Sequence, residues 1–513
     1  MSIRVACVGG GPGGLLFSIL LKRARPDVEV VLIERNQPTD AFGFGVVFSD
    51  RTLERINDAD PVLRQTLREN GVHWTSIAVS VKGETFTFDG NGMAAVHRKV
   101  LLQHLQASAR DAGVDLRYGT EFTGLAELAS FDVIVGADGT NSRVREELEP
   151  FVDSSVESAI AKFIWFGTTH IFDGLTFLHR RSEHGNFAAH AYPIGQGLST
   201  FIVEADEATW RAAGLDAFDV TAPPGPSDEV SQRYLEKLFA PDIAGAPLVA
   251  NNSRWGNFRT RRTRVWHKNN VALLGDAVHT AHFSVGSGTK MAMEDAIVLA
   301  RELADSSDDL EGAFTRYEAE RQPEVAKIQD AAGPSLSWWE NFGFYYDHLD
   351  PLDFAFHFFS RSIDVDRIRR RDPELADRVS DAWQAKHGEL PLDSPLTVGG
   401  TSFASRRLTL TTEADSVALA DGGSAVAAPL VVIEAPMDER SAAAVARPEG
   451  AEIVVIEGGT AVTRAIVAER VRLKYGLVAV VLDDDLSEAE ATTLLLSRRA
   501  DAVATRGRSR ATV

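Results

Sequence analysis

Ile3-Arg4-Val5-Ala6-Cys7-Val8-Gly9-Gly10-Gly11-Pro12-Gly13-Gly14 is the stretch on which the fold turns. Its first half is a short apolar run of strand type. Leu15 to Lys22 then reads as a helix, and Val28 to Ile33 as a second buried strand ending at Glu34-Arg35. Strand, glycine turn, helix and strand within about thirty residues make a β-α-β unit. The spacing of Gly9, Gly11 and Gly14 is that of a dinucleotide-binding turn. Such glycines permit a tight turn and let the backbone approach a pyrophosphate, which rests against the positive end of the helix dipole. Glu34, with Arg35 beside it, ends the second strand where an acid bonds ribose hydroxyls. The unit predicts an ADP-containing cofactor and leaves NAD and FAD both open.

The chain around this unit has 513 residues, 44% of them hydrophobic and 25% charged. That length exceeds one ordinary core, so two or three domains are expected, with the composition of a soluble globular protein. No apolar run reaches the ~20 residues that cross a bilayer. The N-terminus lacks the regions of a signal peptide, which predicts a cytoplasmic protein with no membrane association. A formal net charge of −20 argues against nucleic acid as a partner. The single cysteine, Cys7, excludes an intrachain disulfide, a CxxC redox pair and a cysteine-rich metal site. Its place in the first strand predicts a buried packing residue.

Two further glycine-acid motifs follow. Val133-Ile134-Val135-Gly136-Ala137-Asp138-Gly139 ends a buried strand in an acid, and Ser142 and Arg145 open the next helix. Leu273-Leu274-Gly275-Asp276-Ala277-Val278-His279 does the same later, followed by Gly286-Ser287-Gly288-Thr289 and Glu294-Asp295-Ala296. Asp276 can accept from a ribityl chain. Gly286, Gly288 and Thr289, opening a helix, can present N–H groups to an electron-rich ring. Between these motifs, Phe163-Ile164-Trp165-Phe166 and Thr200-Phe201-Ile202-Val203 read as strands of an inserted antiparallel sheet. The expected architecture is therefore α/β: a Rossmann-type domain over 1–160 and 271–390, extended by helices, and a sheet domain over 161–270. Alternating strands and helices predict a small α/β domain over 391–513. The aromatic stretch Trp338 to Phe359 is expected to pack on the main body or in a homodimer interface, with lining of a site entrance as the alternative.

The three motifs, in this order and spacing, resemble the class A flavoprotein monooxygenases, the family of para-hydroxybenzoate hydroxylase. Asp40-Ala41-Phe42-Gly43-Phe44-Gly45-Val46-Val47-Phe48-Ser49-Asp50, Glu183 to Tyr192 and His279 to Lys290 resemble the acyl-thioester branch of that family: the salicylyl-CoA 5-hydroxylases and enzymes acting on 2-aminobenzoyl-CoA. The likeness covers roughly residues 1 to 390. It implies FAD as cofactor, NADH or NADPH as co-substrate, O₂ and an aromatic acyl-CoA as the other partners, and no metal. It also places Arg98 near the FAD phosphates. Where the wider family has two prolines, this chain has His282-Phe283, so a pocket wall is altered. Beyond residue 390 the chain departs from the 2-aminobenzoyl-CoA enzymes, whose flavin part is followed by an old-yellow-enzyme barrel. Ser394 to Gly400 and Arg499 to Ala504 are similar to the opening and closing strands of such a barrel. Yet ~120 residues are too few for a (β/α)₈ fold of ~250. The expectation is a shortened remnant unable to hold FMN, or an unrelated α/β module.

The implied reaction is hydroxylation of salicylyl-CoA para to its hydroxyl, the position its oxygen activates. Alternatives are a 2-aminobenzoyl-CoA or free aromatic acid hydroxylase, and a flavin-binding regulatory protein without turnover. A base near the phenol would help, and His282 and then His190 are the candidates; a structural role is the alternative for each. Phe44, Val46 and Phe283 are candidate substrate contacts. Arg254, Arg259, Arg261, Arg262, Arg264 and Lys268 form a basic segment in which Arg259 and Arg262 are candidates for the CoA phosphates. Ordinary solvated surface is the alternative reading of that segment.

Overall fold

The computed structural model describes residues 3–219, 225–282, 286, 288–306, 309–413, 416–421 and 429–507. The chain divides into two compact units, one of residues 1–78 and 91–340 and one of residues 79–90 and 341–513.

The first unit is built on a sheet whose strands run in the order His267–Lys268, Val271–Leu273, Val133–Gly136, Arg4–Val8, Glu29–Glu34, Asp115–Tyr118. Apart from the first pair the strands are parallel. Such strands are covered on both faces, which is why they read as continuous apolar runs: Val5 to Val8, Val30 to Ile33 and Val133 to Val135 are all buried. Helix Pro12–Ala24 follows the first strand with proline at its first turn, as a fixed φ favours. It packs against helix Gly288–Asp305 so closely that a Cβ on Gly13 would come 3.0 Å from the Ala292 carbonyl oxygen.

The inserted sheet carries Ser154–Thr168, Leu175–Ser182, Gly185–Gly195 and Leu198–Ala205 as antiparallel neighbours, with Gly256–Thr263 also pairing the first of them. Its second hairpin closes through Gln196 and Gly197 at φ 53° and 72°, the left-handed pair that matches strand twist in a two-residue loop. Ile164, Phe166, Phe187, Phe201 and Val203 fill its own core.

This sheet falls in the same compact unit as the cofactor-type sheet. Hydrogen bonds stitch the two together: Asn251 Nδ2 donates to the carbonyls of Ala41 and Gly43, at 2.9 and 3.0 Å. Thr280 Oγ1 donates to the Arg259 carbonyl at 2.6 Å and accepts from the Arg261 N–H at 2.8 Å.

In the second unit the strands run in the order Ser416–Ala420, Arg407–Glu413, Ala502–Arg506, Val478–Leu482, Ile453–Glu457, Leu430–Glu434, parallel except for the first pair. Helices Pro351–Phe359, Val365–Arg371 and Pro373–His387 belong with this sheet rather than with the cofactor-type domain. A buried carboxylate explains the difference. Glu469 accepts from Tyr345 Oη at 2.6 Å, lies 3.0 Å from His357 Nε2, and pairs with Arg499 Nε at 3.2 Å. Most of the aromatic stretch, including Phe354, Phe356, Phe358 and Phe359, is buried within the one chain, so no homodimer is required to cover it. Among the described residues no helix is long and apolar enough to cross a membrane.

Candidate active site at the carboxyl edge of the parallel sheet

Strand pairing brings the three glycine-acid motifs to one place. Arg4–Val8 pairs with Val133–Gly136, which pairs with Val271–Leu273, so Gly9, Ala137-Asp138 and Gly275-Asp276 leave the sheet side by side. Carboxyl ends of parallel strands are where open α/β sheets bind ligands.

The glycines divide by role. A Cβ on Gly9, at φ +116°, would lie 2.2 Å from the Ala137 carbonyl oxygen, and one on Gly14 would lie 2.1 Å from the Gly9 carbonyl oxygen. Both keep the crossing of turn and strand possible. A Cβ on Gly11 would meet nothing within 4 Å, and the helix that Gly11 caps has no side-chain cap bond. Bare helix N–H groups and an open approach are the cradle a pyrophosphate needs, so these residues fit FAD. Glu34 is committed to the turn: Oε2 accepts from the Gly10 N–H at 2.7 Å and Oε1 from the Asn36 N–H at 2.8 Å. Arg35 beside it is exposed.

Asp138 caps the helix Arg143–Leu148, taking Ser142 Oγ at 2.5 Å and the Arg143 N–H at 2.8 Å. Burial raises its carboxyl, opposed first by Ser142. Arg145 ties this loop to the next by donating to the Ala277 carbonyl at 2.7 Å and to the Thr140 carbonyl at 3.2 Å. Asp276 is exposed on the site wall and faces the opening of helix Gly288–Asp305, 4.0 Å from where a Gly288 Cβ would stand. Thr289 is half-buried in that first turn. Gly286, at φ +61°, sits against Val47. The Arg98 guanidinium makes no hydrogen bond among the described residues. Burial pulls its pKa down, with the charges of Asp276 and Tyr192 opposing. A cation held out of solvent in this way suits an anionic group.

Beneath Asp276 the support is ionic and buried. Asp295 Oδ2 lies 2.7 Å from His279 Nε2 and accepts from the Gly275 N–H at 3.0 Å; Oδ1 accepts from Arg321 Nε at 2.8 Å. Burial works against the Asp295 charge, yet His279 and Arg321 hold its carboxyl down to about 2. Sequence reasoning missed Arg321, because nothing local in the helix Leu310–His348 marks it.

The two candidate bases come together, and around a residue the sequence reading stopped short of. His190 and His282 are both buried. Glu204, 1% exposed, places Oε1 2.6 Å from His190 Nε2, without the alignment of a hydrogen bond. Burial pushes its carboxyl up to about 7, and the positive charge of His282 opposes the rise. The strand read as Thr200 to Val203 extends to Ala205, and its alternation puts Thr200, Ile202 and Glu204 on one face. Trp339 lies against His190 with ring centroids 4.1 Å apart, and Phe258 meets His282 edge-on at 4.9 Å. Trp339 thus packs on this cluster.

The remaining candidates scatter. Phe44 is buried with Trp74, Tyr192 and Ile194, and Val46 faces the core of the parallel-sheet domain; Val47, one residue on, is the side chain toward Gly286. Phe283 lies outside the described residues. Arg262 is exposed and bonded to Gln329 and Asp330, at 2.9 and 3.1 Å. Arg261 and Arg264 are engaged by Ser154 and Asp153, while Arg259 is exposed. The basic segment is not one cluster. Among the described residues no group of His, Cys, Asp and Glu is arranged to hold a metal ion.

Residues 2–332 match the family described as FAD binding domain. The chain is 50% identical, over 98% of its own length and 99% of the other's, to a salicyloyl-CoA 5-hydroxylase of a Streptomyces species. It is 32% identical to the 3-hydroxy-4-methyl-anthranilyl-(aryl-carrier protein) 5-monooxygenase of Streptosporangium sibiricum, over 66% of this chain and 89% of that one. In fold it is similar to Pseudomonas aeruginosa PqsL, crystallised with 2-aminobenzoylacetate, with a TM-score of 0.53 at 23% identity over 66% of this chain and 97% of that one.

Proposed function

The chain belongs to the family of FAD-dependent aromatic-ring monooxygenases, and from that premise we propose that it hydroxylates salicylyl-CoA para to the phenolic oxygen, using NAD(P)H and O₂. The observation that carries the substrate is the extent of the 50% identity, which runs through the cofactor site, the inserted sheet and the C-terminal sheet alike. The 3-hydroxy-4-methyl-anthranilyl-(aryl-carrier protein) 5-monooxygenase matches only 66% of the chain's length.

Bound FAD supplies the redox chemistry, passing electrons from NAD(P)H to O₂ so that one oxygen atom enters the ring and the other leaves as water. The protein supplies the rest. The turn at Gly11 and the helix behind it bind the pyrophosphate, with Arg98 adding positive charge. The opening of helix Gly288–Asp305 and Asp276 orient the cofactor's far end. The aromatic wall of Phe177, Phe258 and Trp339 keeps water from the reacting ring. Regiochemistry follows from the substrate: the phenolic oxygen donates electron density to the ring carbon opposite it. A cytoplasmic setting, where NAD(P)H is at hand, suits this reaction.

NADH and NADPH oxidation by the FAD-loaded protein, with salicylyl-CoA, 2-aminobenzoyl-CoA and free salicylate in turn, tests the proposal. Salicylyl-CoA is expected to stimulate oxidation most and to gain one oxygen atom by mass spectrometry. Preference for 2-aminobenzoyl-CoA would move the substrate, and turnover of free salicylate would remove the thioester from the account. No stimulation by any of the three would favour a regulatory protein.

A further inference from the structure

The second unit carries a cluster of positive charge, in a chain whose formal net charge is −20. Arg406 precedes the strand Arg407–Glu413 and Asp501 precedes the strand Ala502–Arg506, so the cluster lies at the amino edge of the second sheet. Arg472 comes from the π turn Arg470–Lys474 that continues the helix Ala461–Glu469, a winding that recurs at functional sites. Arg498 follows the helix Glu488–Leu496 in the left-handed region, at φ +61°, where glycine is the ordinary choice. His387 joins them from the end of the helix Pro373–His387.

The cations exceed their partners. Asp501 Oδ1 accepts from Arg472 Nε at 2.8 Å, and Asp353 Oδ2 from Arg498 Nε at 2.9 Å. Arg406 donates to no carboxylate among the described residues; it donates to Ser394 Oγ and to the carbonyls of Asp501 and Pro395, at 2.9, 2.7 and 3.1 Å. Arg406 and Arg498 are both buried and lie over the Trp383 ring, at 5.1 and 4.7 Å. His387 stands between them, with Nδ1 3.4 Å from Arg406 Nη2 and Nε2 3.4 Å from Arg498 Nη1. A neutral imidazole has one accepting nitrogen, so one of these contacts always sets donor against donor. Burial first, then the charges of Arg406, Arg498, Lys386 and Arg472, hold the imidazole down to about 4. His387 and Arg472 are half-buried, which leaves the cluster reachable from solvent.

We propose that Arg406, Arg472, Arg498 and His387 form a binding site for a tetrahedral dianion, the phosphate monoester of a nucleotide or free phosphate. Three guanidiniums and Lys386 against the carboxylates of Asp501 and Asp353 leave a surplus of two positive charges, which such a dianion matches. An anion between the guanidiniums and the ring gives their N–H groups an acceptor, removes the clash of donors and offsets the crowded charge. Guanidinium forks suit phosphate oxygens, and Trp383 holds two of those forks in place. The bound anion favours the charged form of His387. Binding therefore takes up a proton and strengthens as pH falls. The site does not depend on the identity of the aromatic substrate.

The test is calorimetric titration of the FAD-loaded protein with sulfate, a dianion that does not itself titrate, at about pH 6 and about pH 8 in buffers of different ionisation enthalpy. Wild type is expected to bind a single sulfate, more tightly at the lower pH and with proton uptake. Arg472→Gln should weaken binding about tenfold or more, the worth of a charged hydrogen bond. Lys386→Glu, at an exposed residue, should weaken it about threefold. His387→Gln should keep part of the affinity and lose the proton uptake. Competition by inorganic phosphate, by CoA with and without its 3′-phosphate, and by NADPH against NADH then identifies the source. Displacement only by the phosphorylated member of a pair, beyond what phosphate itself achieves, assigns the site to that nucleotide; equal displacement by phosphate alone assigns it to the free ion. No saturable sulfate binding, binding without proton uptake at the lower pH, binding that phosphate fails to displace, or binding that the variants leave unchanged would overturn the site. Should Arg472→Gln fail to fold, Lys386→Glu and His387→Gln decide by the same criteria.

Discussion

Gly11 and Gly14 belong to one motif but answer to different demands, and the difference can be measured. Gly14 is needed by the fold, since its Cβ would strike the Gly9 carbonyl, while Gly11 faces open space. Gly11→Ala is expected to leave thermal unfolding of the FAD-free protein within about 0.5 kcal/mol of wild type, the range of surface substitutions. It should weaken FAD binding at least tenfold, read by flavin fluorescence. Gly14→Ala is expected to lose folded protein outright. Glu204 allows a second test. Its folded carboxyl is raised to about 7, above the ordinary 4.5, so the stability tied to its proton is fully present below 4.5 and lost as pH rises through about 7. Glu204→Gln should therefore unfold later than wild type at about pH 8, by on the order of 3 kcal/mol, and match it at about pH 4. Equal stability across that range would contradict the buried ionisation. The glycines were legible in sequence because a turn has a fixed spacing. Glu204 was not, because its partners His190 and His282 meet it only through strand register and a returning segment.

Among the elements, the strand ends are the part of the site that the sequence discloses. The apolar runs that stop at Gly9, at Ala137-Asp138 and at Gly275-Asp276 are parallel strands, and the three are neighbours. What supports them was hidden: Arg321, in the first third of the helix Leu310–His348, braces Asp295 and Glu294 beneath Gly275-Asp276. Taking one partner from a buried ion pair leaves the other uncompensated, at about 3–5 kcal/mol. Arg321→Met is expected to destabilise the protein by that amount in denaturant titrations and to lower FAD affinity. Asp295, held down to about 2 against an ordinary 3.8, contributes stability present above 3.8 and lost as pH falls through about 2. Without Arg321, acid unfolding should begin at higher pH. The basic segment shows the same limit of local pattern. Six cations close in sequence are set along a strand and its flanks, where Arg262 and Arg264 find carboxylate partners and Arg261 a serine hydroxyl.

For the whole molecule, the second unit gives the account a separate test. Its strand Arg407–Glu413 lies beside its last strand Ala502–Arg506, the seam at which a (β/α)₈ barrel closes, but the sheet is open on its far edge. Leu396–Val398, in the stretch likened to a barrel's opening, pairs with Thr401–Phe403 in a separate hairpin, and a shortened barrel remnant and an unrelated α/β module are both readings of this unit. The carboxyl ends of its strands carry Glu434, Glu457, Asp483 and Asp484. The nearby cations are already committed, Arg464 to Asp483 and Arg506 to Asp484 and Glu457. A phosphate would meet repulsion there. Flavin released from the purified protein is expected to be FAD alone, about one per chain, and FMN in similar amount would contradict this reading. The helices of residues 341–390 join this unit through Glu469, which no local pattern announces. The central claim, that the chain places one oxygen atom from O₂ on the ring of salicylyl-CoA, is tested most directly by turnover under isotopically labelled O₂, with the product's ring position assigned by NMR. The account predicts one labelled oxygen on the carbon para to the original hydroxyl. Unlabelled product, or label at another ring carbon, would contradict it.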